Sequence, residues 1–355
     1  MGTSKYAAVN TKIRGMEARF LNEDDYKRLL QSESVAEVAA YLKSTAAYGE
    51  LLQKIDVQQS NRSNLEHILK SSMIRDVDSI INYFSGNYKK FIHTLYAKYE
   101  INDMKQLARR LYNAPPEYMQ RFNTEPSLDF LGKYSGINRA TVEKSESIAD
   151  IIRAYENTKF YSYLKPILLS DNQNNLFRFE TVLDISYYSL LMKESEELDA
   201  SDQKLIKQAI GTISDLLNLQ WIYRGKYFYD MMPAVLFNYT INAGYRFSKK
   251  SLRDLAYTPT LEAFQQKVRK TPYCFLIKND DTTDSFMERR LERFTYYKLR
   301  QLRWSNSMTI IPALSHIILL EYQIRDIITL IEVIKYHLPP EEAKKYLIKY
   351  IPERT

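Results

Sequence analysis

The sequence predicts an all-α protein, and three observations carry the prediction. Glycine and proline are scarce, nine and eleven in 355 residues, fewer than the tight turns of a sheet protein consume. Apolar residues recur at intervals of three and four along most of the chain, and no period-two alternation runs long enough to build a sheet. Hydroxyl or acidic residues suited to helix N-caps stand just ahead of several of these apolar runs.

The elements follow in order. A first helix is expected from about Tyr6 to Phe20, then a short one opened by Asp24 or Asp25 and carrying Tyr26, Leu29 and Leu30. "SESVAEV" at 32–38 holds Ser34 and Glu37 at capping-box spacing, so a third helix starts there. "NLEHILKSSMIRDVDSIINYF" continues with helical spacing, and "EINDMKQLAR" at 100–109 closes the segment before a break at "NAPPE", 113–117. "SESIADI" at 145–151 repeats the capping box with Ser147 and Asp150, and "LFRFETVLDISYYSLLMKES" forms another amphipathic helix. "DLLNLQWIYR" at 215–224 follows, and "DMMP" at 230–233 interrupts the chain again. After "TPTLEAF" and a polar loop, "KNDDTTDS" at 278–285, comes the most apolar tract, "MTIIPALSHIILLEYQI" at 308–324. It contains Pro312, His316 and Glu321 and is short for a membrane span, so it reads as a buried helix. "HLPPEE" punctuates the last helices.

Two of these motifs are periodic. The caps Ser34, Ser147 and Thr260 lie 113 residues apart, each followed by apolar residues at helical spacing: Val35, Val38 and Leu42; Ile148, Ile151 and Tyr155; Leu261, Phe264 and Val268. Thr45, Thr158 and Thr271 keep the same register. The third copy has lost the box's acid, with Ala263 at N3 and Glu262 one position earlier. The second motif opens on an acid (Glu100, Asp215, Asp326) and places a small polar residue at +3 (Asp103, Asn218, Thr329). It then has apolar residues at +4 and +7 and a base at +9 (Arg109, Arg224, Lys335). Its intervals are 115 and 111, so two unrelated motifs give one period. Three helical units are expected, 1–115, 116–230 and 231–355, each long enough for its own small core. Similar units joined head to tail can close into a three-part body with a central depression.

Little in the chain suggests catalysis. There is no phosphate-binding GxxxxGK[ST] loop and no G-x-S-x-G elbow. His67, His93, His316 and His337 have no partner at ligand spacing, and Cys274 is the single cysteine, so zinc is not expected and no disulfide can form within the chain. No metal or cofactor is called for. "DDTTD" matches the DDxxD pattern by which isoprenoid synthases hold magnesium and diphosphate, with Asp280, Asp281 and Asp284 as the ligands. Two adjacent threonines between polar neighbours read as a solvated loop, and no second acidic cluster completes such a site. The 29 tyrosines read as helix packing with hydroxyls reaching water, rather than as a nucleic-acid stacking surface. The net charge of +7 is spread along the chain.

On a helix, +4 and +7 lie within about 40° of the opening acid, which puts all three acids beside the apolar face. The base at +9 is about 13 Å further along and on the other side, so acid and base cannot pair within one helix. The acids are read as capping or bridging a neighbouring helix, with the bases solvated. On a sharper reading the bases Arg109, Arg224 and Lys335 are candidates to face a shared central cavity and a partner.

The whole chain resembles the C subunits of the rotary V/A-type ATPases, called d in the eukaryotic vacuolar enzymes. The opening "YAAVNTKIRGMEARFLNEDDYKRLLQSESVAEVAAYLKSTAAYGELL" is similar to the family's N-terminal segment, with Asn10, Arg14 and Arg19 in its basic first helix. "RFETVLDISYYSLL" resembles the middle segment, and "LNLQWIYRGKYF" and "EYQIRDIITLIEVIKYHLP" resemble later helices. The resemblance implies three similar helical subdomains in a pseudo-threefold, funnel-shaped arrangement. It implies a non-catalytic central-stalk component on the cytoplasmic side of the membrane, a socket between the shaft proteins (D and F type) of the ATPase head and the membrane proteolipid ring, serving proton or sodium transport. On that reading Arg14 and Arg19 join the three bases as partner contacts, and neither nucleic acid nor a small-molecule substrate is bound. A helical scaffold of another complex is the alternative from the residues alone.

Overall fold

The computed structural model describes residues 4–53, 55–57, 60–113, 128–169, 175–278, 284 and 286–349. All regular structure among them is helical, as expected, and the chain divides into two compact units.

Unit 1 joins the two ends of the chain, Met1–Phe84 and Cys274–Thr355. Its helices are α1 (Ser4–Glu17), α2 (Glu23–Leu30), α3 (Val35–Ser44), α4 (Gly49–Leu52) and α5 (Arg62–Ile81), then α15 (Met287–Ser305), α16 (Ile311–Lys335) and α17 (Pro340–Tyr346). Every residue from Ile311 to Ile324 is buried, which makes α16 the spine against which α1, α3, α5, α15 and α17 pack. Such all-round burial is what a helix apolar on every face requires. Among the described residues no helix is long and apolar enough to cross a membrane. α2 starts one residue earlier than the acids suggested. Asn22 is its N-cap, accepting from Asp24 and Asp25 amides, while Asp25 closes a full capping box on the Asn22 amide.

Unit 2 is the continuous stretch Ser85–Tyr273. It holds α6 (Gly86–Asn113), α7 (Arg139–Val142), α8 (Ile148–Ala154), α9 (Tyr161–Leu168), α10 (Leu176–Ser195), α11 (Ala200–Tyr227), α12 (Pro233–Asn238), α13 (Lys249–Ala256) and α14 (Leu261–Arg269). α6 and α10 run antiparallel. Their contacts step in opposite directions, from Thr94–Glu194 and Leu95–Tyr187 to Lys105–Asp184 and Arg109–Glu180. A short turn then sends α11 back along α10. The start of α11 is tied to the start of α6 by the Tyr88 hydroxyl, which donates to Asp202 at 2.6 Å and accepts from the Asp199 amide at 3.1 Å.

The capping motif is repeated in atomic detail. Ser34, Ser147 and Thr260 each accept the amide three residues on, all at 3.2 Å, and begin α3, α8 and α14. The acid's return bond goes one residue further back than the usual box, from Glu37 to the Glu33 amide and from Asp150 to the Glu146 amide. Thr45, Thr158 and Thr271 turn their hydroxyls back to the carbonyl three residues earlier, at 2.7, 2.8 and 2.7 Å. Each small helix therefore starts on the same hydroxyl cap and is followed by the same threonine turn, with Thr45 itself the C-cap of α3. The first copy lies in unit 1, the second and third in unit 2.

Candidate functional site: the repeated acid-to-base helices

The three acid-to-base motifs occupy the C-terminal halves of α6, α11 and α16. Their acids are among the most deeply buried charged residues in the chain, with Glu100 and Asp215 0% and Asp326 1% exposed. A buried carboxylate needs donors, and each acid takes them from the main chain of a later segment. Glu100 accepts the Tyr134 amide at 2.6 Å. Asp215 accepts Arg246 and Phe247 amides at 2.7 and 3.2 Å and the Tyr273 hydroxyl at 2.9 Å. Asp326 accepts Ile348 and Lys349 amides at 2.6 and 3.0 Å and the Tyr26 hydroxyl at 3.3 Å. The polar residue at +3 acts in the same way in two copies: Asp103 accepts the Phe130 amide, and the Asn218 amide group exchanges two bonds with the backbone of Ile241. In the third copy Thr329 instead bonds back to Arg325. The acids are latches that hold the chain returning past each long helix.

Burial raises all three carboxyls above the ordinary aspartate or glutamate range, with the main-chain amides pulling the other way. For Asp326 the net result is about 6. A folded-state pKa above the unfolded one means the folded chain binds this proton more tightly. The stabilisation is therefore present below about pH 4 and is lost as pH rises through about 6. Asp326→Asn abolishes the titration. In urea titrations between about pH 4 and 7, the stability of the wild-type chain relative to that variant should fall by up to about 3 kcal/mol as pH rises. A pH-independent difference would show that Asp326 titrates at its ordinary value.

The bases end these helices. Arg109 is exposed and makes a two-pronged ion pair with Glu180 of α10, at 2.5 and 3.2 Å. Arg224 is half-buried, and Lys335 is exposed with its ammonium 5.8 Å over the Tyr336 ring. Arg109 and Arg224 belong to unit 2, and Lys335 to unit 1. Of the two basic residues of α1 and its C-terminal turn, Arg14 is exposed and Arg19 half-buried. One further register is not evident from the motif itself. Three residues past each base stands a large apolar side chain that remains exposed: Tyr112 at 59%, Tyr227 at 55% and Leu338 at 36%. In α6 and α11 base and apolar residue fall on one side of the helix end, while Leu338 lies just past the end of α16; the 113-residue period applied twelve positions after the acid would have found all three.

His316 does more than its isolation in the sequence suggests. Its imidazole is fully buried, 3.1 Å from Asp76 of α5 and 3.4 Å from Glu17 of α1, and Glu17 is paired in turn with Arg303 of α15. The cluster ties four helices of unit 1 together. Of the acidic motif at 280–284, Asp280 and Asp281 lie outside the described residues and Asp284 stands in a turn. Among the described residues no group of histidine, cysteine or acidic side chains is placed to hold a metal ion.

Comparison with known sequences bears out the family resemblance. The family described as ATP synthase (C/AC39) subunit matches residues 9–346. The C subunit of the A-type ATP synthase of Methanosarcina mazei is 24% identical over 322 residues, covering 89% of this chain and 85% of that protein. Its counterpart in Methanocaldococcus jannaschii is 23% identical, covering 97% and 86%. That of Archaeoglobus fulgidus is 24% identical, covering 97% and 95%. Nearly the whole chain is thus accounted for by one family, and the protein belongs to the C/AC39 subunits of the A/V-type ATPases.

Proposed function

We propose that the chain is the central-stalk component of its rotary ATPase, a passive socket between the shaft of the soluble head and the proteolipid ring. On this reading residues 1–115, 116–230 and 231–355 are three similar helical subdomains about a pseudo-threefold axis, forming a funnel. The shaft enters the funnel and the base rests on the ring at the cytoplasmic face of the membrane. The observation that carries the reading is the threefold recurrence, in a member of this family, of the same hydroxyl-capped helix and the same buried acid latch. On these boundaries Glu100 and Asp215 each hold the early chain of the following unit and Asp326 holds the end of its own, a rigid linkage that suits a part that passes on torque rather than performing chemistry. Arg109, Arg224 and Lys335, with Arg14 and Arg19, are the proposed partner contacts.

The direct test is capture of purified D- and F-type shaft proteins, and separately of the detergent-solubilised ring, by the full chain. Binding of both at once is the expected result. Capture of neither would leave a scaffold in another part of the complex as the better reading.

A further inference from the structure

Unit 1 carries a second basic feature that the latch and cap repeats do not explain. A cavity of about 490 Å³ lies between α1 and α15, within the usual size of small-ligand sites. Arg14 of α1 and Arg300 and Arg303 of α15 line it, together with Asn10, Trp304, Ser307 and Pro312, and among the described residues no carboxylate does. Arg14 has no carboxylate partner among the described residues. The Arg300 guanidinium lies 5.6 Å from the Tyr296 ring. Arg303 alone has an acid, Glu17, which is turned toward a neighbouring cavity. Burial, and then the charge of Arg14, both weigh against the protonated form of Arg303. Three like charges thus converge on this hollow; the same arginines also border the neighbouring cavity, whose lining includes Glu17, Glu23, Asp24 and Asp326.

Asn10, 3% exposed, fixes one wall by donating its Nδ2 to the Ser307 carbonyl at 2.5 Å. One further detail points to a ligand. Trp304, at 91%, is the most exposed large apolar side chain among the described residues. Its ring stands at the rim, where a base or other flat group can stack.

We propose that this cavity binds a phosphate-bearing ligand. The tetrahedral, multiply charged group would sit among Arg14, Arg300 and Arg303, and the remainder of the molecule against Trp304. Guanidinium forks match phosphate oxygens two at a time, and three of them around one hollow suit a group whose oxygens point in several directions better than a flat, singly charged carboxylate. The phosphate could belong to a free nucleotide or to a lipid headgroup. The inference shares Arg14 with the proposed partner contacts, but it is tested on the isolated chain, so its failure and that of the socket reading are distinguishable.

The test titrates the isolated full chain with inorganic pyrophosphate, with ADP and with vesicles containing phosphatidic acid, at about 0.15 M salt to suppress loose surface attraction. Binding is followed by calorimetry and tryptophan fluorescence. Saturable binding of at least one probe is expected, weakened roughly 10- to 100-fold by Arg14→Gln or Arg300→Gln and partly restored by Arg300→Lys. Trp304→Phe should remove the fluorescence change while calorimetric binding persists, since Trp221 is then the only tryptophan. Arg303 is left intact because its loss would strand Glu17. Saturation by pyrophosphate or ADP identifies a soluble ligand; saturation by vesicles alone identifies a headgroup. No saturation by any probe, binding indifferent to Arg14 and Arg300, or equal competition by a polyglutamate peptide would each overturn the proposal.

Discussion

Asp215→Ala is expected to cost unit 2 about 3–5 kcal/mol, among the largest effects of any single substitution in the chain. The carboxylate is wholly buried and accepts two main-chain amides and one phenol. Truncation leaves the Arg246 and Phe247 amides and the Tyr273 hydroxyl without their acceptor, in a pocket that admits no larger neighbour. Gly244 shows how close the fit is. A Cβ added there would meet Asp215 Oδ1 at 2.2 Å and the Phe247 carbonyl at 2.6 Å, so the returning chain can approach the latch only through glycine. Asp215→Asn should cost less, because one oxygen survives while the new amide nitrogen opposes the second donor. Each unit carries one tryptophan, Trp221 in α11 and Trp304 in α15. In a Trp304→Phe background, fluorescence during urea unfolding reports α11 directly. The Trp221 transition should move to markedly lower urea in Asp215→Ala. An unmoved midpoint would mean that the freed donors find other acceptors, and the latch reading would be wrong.

How far the sequence foretold this depends on where each bond lies along the chain. The caps at Ser34, Ser147 and Thr260 were legible because both partners sit within three residues, a spacing that is itself the signal. The buried helix around 311–324 was legible from its predominantly apolar character. The boundaries of α10, Leu176–Ser195, were legible from periodicity alone. That the acids lie beside the apolar face followed from helical geometry. Their targets did not. The Tyr134, Arg246 and Ile348 amides are 34, 31 and 22 residues downstream, and a main-chain amide carries no residue-specific mark. The same limit hid the His316 cluster, whose partner Asp76 is 240 residues away. The tyrosines were half legible. Several hydroxyls do reach solvent, but those of Tyr26 and Tyr273 end on buried carboxylates, so they act as part of the latch as well as filling space.

Reversing charge at Arg109, Arg224 and Lys335 together should weaken shaft binding by roughly 100-fold and flatten its salt dependence, with the circular-dichroism melt little changed. The prediction rests on the helix ends as they stand. Each base is followed three residues on by an exposed Tyr112, Tyr227 or Leu338, and a cation beside an exposed apolar side chain is the pairing from which interface hot spots are commonly built. Arg109 complicates the experiment, because its guanidinium is held by Glu180 and lies close to Asp184 in charge. A glutamate there would face two carboxylates, and lost affinity could then reflect a loosened α6–α10 pair. Adding Glu180→Gln separates the two causes. If binding stays weak in that background while the melt recovers, the bases contact the partner. If affinity returns with the melt, Arg109 serves packing only, and the contact must be sought at Arg224, at Lys335 or on α1. A triple variant that binds as tightly as the parent removes all three bases from the interface, and with them the reason for placing the shaft against these helix ends.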